Sequence, residues 1–594
     1  MKMLAWLVCW LPLLGAAPAP METGRRNVNV PSTAVAATAA YNRLVDEFFD
    51  AYFQLHPNAG TSAGLHQYDS QLEDYSRAGV DRARAIAREY RARFERVNAA
   101  ELAPELQADR ELVLAHLDGE LLELEEIRGW EKNPDSYSSG VTESAFTIVS
   151  RKFAPPPDRL RALLARERQM PQVFQEARHN LKNPPRIYTE VAIEQLPGIV
   201  GFFQQDVPAA FAEVTDPELV AVFRQANGAV IAALEAYEKF LREELLPLSH
   251  GDFRIGAAAY RKKLAFDEMV DVPLDRLLQA GYADLRRNQE RFRHVAALLD
   301  SRKTPEQTVA DMQDDYPPPA ELLSSFRQLL GALSGYVAAQ HLVTIPPAPP
   351  PVLEETPPFM RALTFASMDT PGPYEQTARE AFFNVTLPEA TWPAQQVREF
   401  MGGFNRSTMV SVAVHEVYPG HYVQFLWLQH APSKVRKLLG CSSNAEGWAH
   451  YTEQMMLDQG YGRNLQLPEE KDLSFLKLRL GQLGEALLRD ARYIAGISMH
   501  TGTMTFDQAV EFFVKEGYQP REVAVRETKR GTSDPTYLVY TLGKLQILKL
   551  REDYRRKMGA KFSLEDFHNT FLQQGFPPIK LIRKAMLGDD TPAL

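Results

Sequence analysis

The chain has 594 residues, 45% of them hydrophobic and 24% charged, which is the make-up of a globular protein with a sizeable core and excludes a disordered or fibrous chain. Its formal net charge is -10, and its 66 basic residues are spread without a run of five or six like charges. That excludes the electrostatic footprint of a nucleic-acid binder, and a mildly acidic balance says nothing of substrate.

Lys2, the apolar run from Met3 to Leu14 and the small residues Gly15-Ala16-Ala17-Pro18-Ala19 read as a secretory signal peptide over 1–19. The run is short of the ~20 residues of a membrane span, so no stable membrane insertion is expected after cleavage. An exported protein, periplasmic or extracellular, is expected. Cys9 sits in no convincing lipoprotein signal. Its loss with the signal would leave Cys441 alone, with no internal disulfide, and Cys441 is read as a small buried residue.

Residues 20–38 look like a flexible leader. From Tyr41 the pattern is helical: Leu44, Phe48, Phe49 and Phe53 recur at helical steps, as do Leu114, Leu117, Leu121 and Leu124. Amphipathic patterns over 158–182, 216–244, 275–300 and 320–340 complete an N-terminal helical lobe (39–343). Consecutive prolines over 344–358 predict an extended linker. A C-terminal lobe (359–594) opens with strand-like runs at 362–365 and 381–387, and helical pattern returns from about 393. The fold class is mainly α.

The chemistry concentrates in His415-Glu416-Val417-Tyr418-Pro419-Gly420-His421. A zinc peptidase needs two neutral imidazoles facing one point and a carboxylate beside them to take a proton from water. The usual HExxH helix places its histidines one turn apart. Here they are six residues apart, which on a regular helix turns their rings ~120° from one another. A local bulge at Pro419-Gly420, where proline removes a helix hydrogen bond and glycine tolerates unusual angles, would return His421 to the face of His415. Glu446, 25 residues after His421 at the start of a predicted helix, supplies a third ligand and leaves a fourth position open for water. Glu453 is placed as acceptor for a ligand imidazole, and His450 as either a supporting neighbour or an extra ligand. The plainer reading makes His415, which follows Val412, Ala413 and Val414, a buried structural residue.

HEVYPGHYVQ and EGWAHYTEQMM resemble the paired signatures of the bacterial family known as domain of unknown function 885. Gly60 to Asp69 with Leu72 and Asp74, and Asp534 to Lys544, resemble its N- and C-terminal blocks, so the likeness spans roughly 40–580. The resemblance implies a two-lobed helical fold with a deep cleft and a small sheet near the active site, similar to thimet oligopeptidase, the angiotensin-converting enzyme and Taq-type carboxypeptidases. It implies zinc as cofactor, held by His415, His421 and Glu446, with Glu416 as general base. Tyr540 falls where the family carries a tyrosine and is expected to stabilise the oxyanion, with His500 and Tyr537 as lesser candidates. At His450, and at Asp534-Pro535-Thr536-Tyr537 where a Pro-Gly-Gln is expected, the sequence departs from the family.

The expected function is therefore a secreted zinc peptidase acting on short peptides. A metal-dependent hydrolase of another amide or ester, and a non-catalytic binding protein on a peptidase scaffold, are the alternatives. The strand around Phe383-Asn384-Val385 reads equally as a partner for an extended peptide and as an ordinary core strand, and Arg489, Arg492 and Lys544 are candidates to hold a substrate carboxylate, each read first as an ordinary salt-bridge or surface residue.

Overall fold

The computed structural model describes residues 32–357, 361, 364–589, 591 and 594. The expected signal peptide, with Cys9, lies outside the described residues, as do Ala362 and Leu363 of the first expected strand. Helix α1 (Ser32–Leu55) begins inside the stretch read as a leader. Tyr41, Val45, Phe48, Phe49 and Phe53 anchor it in a buried cluster with Tyr90, Phe94 and, from the other end of the chain, Val435, Leu439 and Leu581. The alanines at 34, 36, 37, 39 and 40, which look like leader composition, are the best helix formers and carry that helix backwards.

Leu117 is buried on α2 (Pro104–Leu122), with Leu114 and Leu121 partly so, while Leu124 falls in the wider turn beyond it. On α3 (Pro217–Phe240) Asp216 caps the first turn, and Phe223, Val230, Leu234 and Tyr237 enter the core at helical spacing. This stretch, Pro217–Leu248, is long and apolar enough by composition to cross a membrane. Its core-facing stripe and its exposed Arg224, Glu235 and Arg242 suit a helix lying on a globular core.

Leu277, Leu285 and Phe292 of α4 (Leu274–Leu299) pack against the later helix that carries Leu476, Leu480, Leu483 and Ile494. α5 (Leu322–Ala339) buries Leu322, Phe326, Leu330, Leu333 and Val337. Each such side chain contributes ~1.5–3 kcal/mol when fully buried, so these stripes outweigh local propensity.

The Pro-rich segment is irregular to residue 351 and then forms β1 (Val352–Glu355). It is a strap tied to the structure: the Tyr422 hydroxyl donates to the Pro349 carbonyl, and Trp427 Nε1 to the Thr344 carbonyl at 2.9 Å. β2 (Ala366–Asp369) and β3 (Phe382–Val385) complete a three-stranded sheet in the order β1-β3-β2. β1 pairs parallel and β2 antiparallel to β3, with Ala366 opposite Val385 and Met368 opposite Phe383. This sheet bears on two expectations. Of the strand expected at 362–365, Thr364 and Phe365 among the described residues precede β2, which begins at Ala366, and only the Phe365 carbonyl joins the pairing by accepting from the Thr386 N–H. β3 is the central strand, so both its edges are already paired and the core-strand reading of Phe383-Asn384-Val385 holds; the edge strands are β1 and β2.

α6 (Arg406–Glu416), α7 (His421–Leu428), α8 (Ser442–Asp458), α9 (Leu473–His500), α10 (Arg521–Ser533) and α11 (Val539–Met558) build the C-terminal half. α9 is the helix packed along α4, so the two halves on either side of the Pro-rich strap share a core. α8 and α11 cross at Gly447 and Gly543. A Cβ on Gly447 would stand 2.4 Å from Gly543 Cα, and one on Gly543 1.8 Å from the Ser443 carbonyl oxygen. No side chain can yield there, because both obstacles are backbone.

Gly543→Ala is expected to lower stability by at least ~1–3 kcal/mol, the cost of forcing packed elements apart. Gly228→Ala, at a mid-helix site with nothing within 4 Å, should raise it by ~0.4–1 kcal/mol. Denaturant melts of the two variants check both signs.

Candidate metal centre

Asn405 opens α6 by accepting from the Ser407 and Thr408 N–H groups. The helix closes where the Val417 and Tyr418 N–H groups both turn to the Ala413 carbonyl and Pro419 has no N–H to continue it. Gly420 then folds back over the helix end. A Cβ there would lie 1.8 Å from the His415 carbonyl oxygen and 2.3 Å from that of Val414, so only glycine fits. Trp448 Nε1 holds the turn by donating to the Pro419 carbonyl at 2.9 Å. The expected bulge within one helix is thus corrected: the chain breaks between two helices. His415 sits in the last turn of α6 and His421 is the first residue of α7. Their rings stand 4.9 Å apart at 87°.

The third group comes from α8. Its start is held by buried Glu268, which accepts from the Ser443 N–H at 3.0 Å and whose carboxyl burial pushes up to about 7. Glu446 lies in its first turns, next to the Gly447–Gly543 crossing. Glu446 Oε2 is 3.4 Å from His415 Nε2 and 3.5 Å from His421 Nε2, and it is shielded without a hydrogen-bond partner. A tetrahedral metal with bonds of ~2.0–2.1 Å holds neighbouring ligand atoms ~3.3–3.4 Å apart, which the two separations from Glu446 Oε2 match, and all three atoms lie within 4.8 Å of one another. Among the described residues they are the one His/Cys/Asp/Glu group whose ligand atoms all converge this closely.

Behind the donors, His415 Nδ1 donates to Glu453 Oε1 at 2.7 Å, which turns Nε2 towards Glu446. Glu453 is buried, and Arg489 Nη2 stands 3.5 Å from the same oxygen. Burial disfavours charge on Glu453, but Arg489 and the neighbouring imidazoles together outweigh it and hold the carboxyl far below its usual range. His450 is fully buried with Nδ1 3.5 Å from Glu453 Oε2, so it supports Glu453 and does not join the donor group. Burial and the Lys544 charge lower it to about 3, which keeps it neutral. Burial opposes charge on His415 too, yet the Glu446 carboxylate beside Nε2 and the hydrogen bond to Glu453 lift it to about 10. Burial works against ionised Glu446 as well, and the two imidazoles reverse it, holding the carboxyl well below its usual range.

Glu416 follows His415 and accepts from the Met368 N–H of β2 at 3.1 Å. Burial raises its carboxyl, with the neighbouring histidines pulling the other way. The Tyr540 ring stacks 6.4 Å from the His415 ring. Burial and the Glu446 charge raise its hydroxyl, so it remains a donor at neutral pH.

Other candidates lie elsewhere or are already engaged. His500 is buried against the Gly531 carbonyl, 2.8 Å from Nε2, and the Ile255 N–H. Tyr537 fills the core between α9 and α10, where Gly496 and Gly531 make room for its ring. Arg492 is buried and grips Glu527 with two bonds, at 2.6 and 2.9 Å. Arg489 is taken by Glu485 and Glu453. Lys544 is buried 2.9 Å from equally buried Asp284. Breaking such a pair costs ~3–5 kcal/mol, so Lys544 serves the fold and is not free for a substrate carboxylate. Two contributors were missed from the sequence. The Met368 N–H is a backbone donor and leaves no side-chain signal. Arg530, whose Nη2 donates to the Tyr540 hydroxyl at 3.3 Å, is one of many arginines until the fold brings it there.

A family model for bacterial proteins of unknown function (DUF885) matches residues 57–586. The chain belongs to that family. A solved structure of a candidate lipoprotein of unknown function from Shewanella oneidensis is 27% identical to this DUF885 chain, with a TM-score of 0.76, covering 92% of it and 99% of its own length. A candidate lipoprotein from Colwellia psychrerythraea is 17% identical with a TM-score of 0.77, covering 93% and 98%, a likeness of fold. No curated protein matches the chain.

A histidine raised to about 10 stabilises the fold fully below the unfolded value of ~6.5 and loses that contribution as pH rises through about 10. In the metal-free DUF885 chain, a histidine NMR titration should therefore find His415 still protonated at pH 8. Glu453→Gln should lower its pKa. A neutral His415 at pH 7 in the metal-free wild type would contradict the pairing of its ring with Glu446 and Glu453.

Proposed function

We propose that this DUF885 chain is an exported zinc peptidase acting on short peptides. The observation that carries the reading is the spacing of His415 Nε2, His421 Nε2 and Glu446 Oε2, with Glu446 Oε2 shielded and lacking any other partner. Two imidazoles and one carboxylate with an open fourth position form a catalytic rather than a closed structural zinc set. Zinc held there supplies a Lewis acid that polarises a carbonyl and brings the pKa of water down towards ~7.

The remaining work falls to this chain's own groups. Glu416, oriented by the Met368 N–H and made more basic by burial, takes the proton of the attacking water and passes it to the leaving amine. The Tyr540 hydroxyl donates to the carbonyl oxygen as it gains charge. In this reading an extended peptide pairs along the outer edge of β2, through groups other than the Met368 N–H that Glu416 holds. The finer architecture implied by this reading is a cleft between helical lobes, with the sheet at its wall. Export is supported by the apolar N-terminal run and by the designation of the two similar solved proteins as candidate lipoproteins.

Glu416→Gln should cut peptide hydrolysis by ~10²–10⁴-fold while leaving the fold intact, and Tyr540→Phe by ~10²–10³-fold. A quenched-fluorescent peptide library assayed beside an ester panel reads both. Hydrolysis that survives Glu416→Gln would sink the proposed base. Turnover of esters alone would move the reaction to another hydrolase class.

A further inference from the structure

Three guanidinium groups surround the Tyr540 ring: Arg492 at 5.0 Å, Arg489 at 5.7 Å and Arg530 at 5.8 Å from its centroid. Two of them are spent. Arg492 and Arg489 have side chains 9% and 11% exposed and are gripped by buried or half-buried carboxylates. Arg530 differs: its side chain is 42% exposed, and its one ion-pair partner is Asp534, at 3.2 Å and 40% exposed. Its Nε and Nη2 face Asp534, Nη2 also reaches the Tyr540 hydroxyl, and Nη1 has no partner among the described residues. An exposed pair of this kind contributes little, so the guanidinium can exchange it for an incoming anion.

Arg526 lies one turn earlier on the same helix and stands 5.8 Å over the ring of Phe365, the residue just before β2. The two exposed arginines of α10 thus reach from the start of β2 to Tyr540. A peptide lying antiparallel on the outer edge of β2, cut beside Glu416 near Met368, runs its C-terminal side past Ala366 towards Phe365. Met368 to Ala366 is two residues, ~7 Å of strand. The end of such a peptide arrives at the arginines within one or two residues of the cut bond. A guanidinium offers a planar fork for a carboxylate, which selects that orientation over the reverse.

We propose that Arg530 is a specificity-determining residue that binds the free C-terminal carboxylate of a short peptide, so that the enzyme removes residues from peptide C-termini. This rests on the peptidase reading above. Its hydrogen bond to Tyr540 couples the anchored carboxylate to the group that faces the reacting carbonyl.

The test uses peptide pairs that differ only in a C-terminal acid or amide. Wild type should favour the acid by roughly 10- to 100-fold in kcat/KM, the range for a charged hydrogen bond. Arg530→Gln should bring that ratio close to one, and Arg530→Lys should retain part of it. Because Arg530 also touches Tyr540, the acid-to-amide ratio, and not the absolute rate, is the readout. Calorimetry of the same pairs on the zinc-loaded Glu416→Gln protein reads the preference without turnover. An acid-to-amide ratio near one in wild type, or one unchanged in Arg530→Gln, overturns the assignment. If no peptide is cleaved, the peptidase reading fails on its own, and the binding arm still decides whether Arg530 prefers a carboxylate.

Discussion

Everything around the centre is arranged so that two imidazole nitrogens can face one carboxylate oxygen that has no other partner. His415 Nε2 and His421 Nε2 stand 3.4 and 3.5 Å from Glu446 Oε2, and the three groups come from three helices. The meeting depends on backbone sterics more than on side-chain attraction. Gly420 lets the chain fold back over the end of α6, and Gly447 against Gly543 lets α8 and α11 touch. A methyl group at any of these positions collides with backbone, and the helices that carry the donors would have to separate. The strap at 344–351, tied through Tyr422 and Trp427, closes over α7 from the other side.

The second constraint is electrostatic. Burying Glu446, Glu453 and His415 together is costly unless each charge has a partner. Glu453 serves both His415 and Arg489, while burial and the Lys544 charge keep His450 neutral behind it. Further back, Lys544 and Asp284 form a buried pair joining α11 to α4. The charges that look like substrate handles in the sequence are therefore mostly internal struts. Arg530 remains accessible because its partner Asp534 is itself exposed.

Much of this was legible in the sequence. The helical stripes at Phe48, Phe49 and Phe53 and at Leu322 to Val337 are strong periodic signals and mark buried faces. The motifs around His415, His421 and Glu446 single out three residues that the fold brings together, and Pro419-Gly420 marks the place where the chain must deviate. The form of the deviation was not legible: a helix break and a bulge carry the same residues, and the choice is made by contacts with Trp448 and the α6 carbonyls. Strand limits were misplaced because β2 takes its register from β3, a distant pairing. Lys544 reads first as a salt-bridge residue, and its pair with Asp284 agrees, whereas the burial of His500 and Tyr537 is something residue type does not report. α1 was cut short because alanine-rich sequence serves leaders and helices alike.

One claim underlies the rest, that His415, His421 and Glu446 hold a single metal ion. Elemental analysis of the purified mature protein, wild type beside Glu446→Gln, tests it most directly. About one zinc per chain in wild type, lost in the variant while the fold persists, is the predicted result. Wild type without bound metal after zinc is offered, or a variant that retains it fully, would contradict the claim.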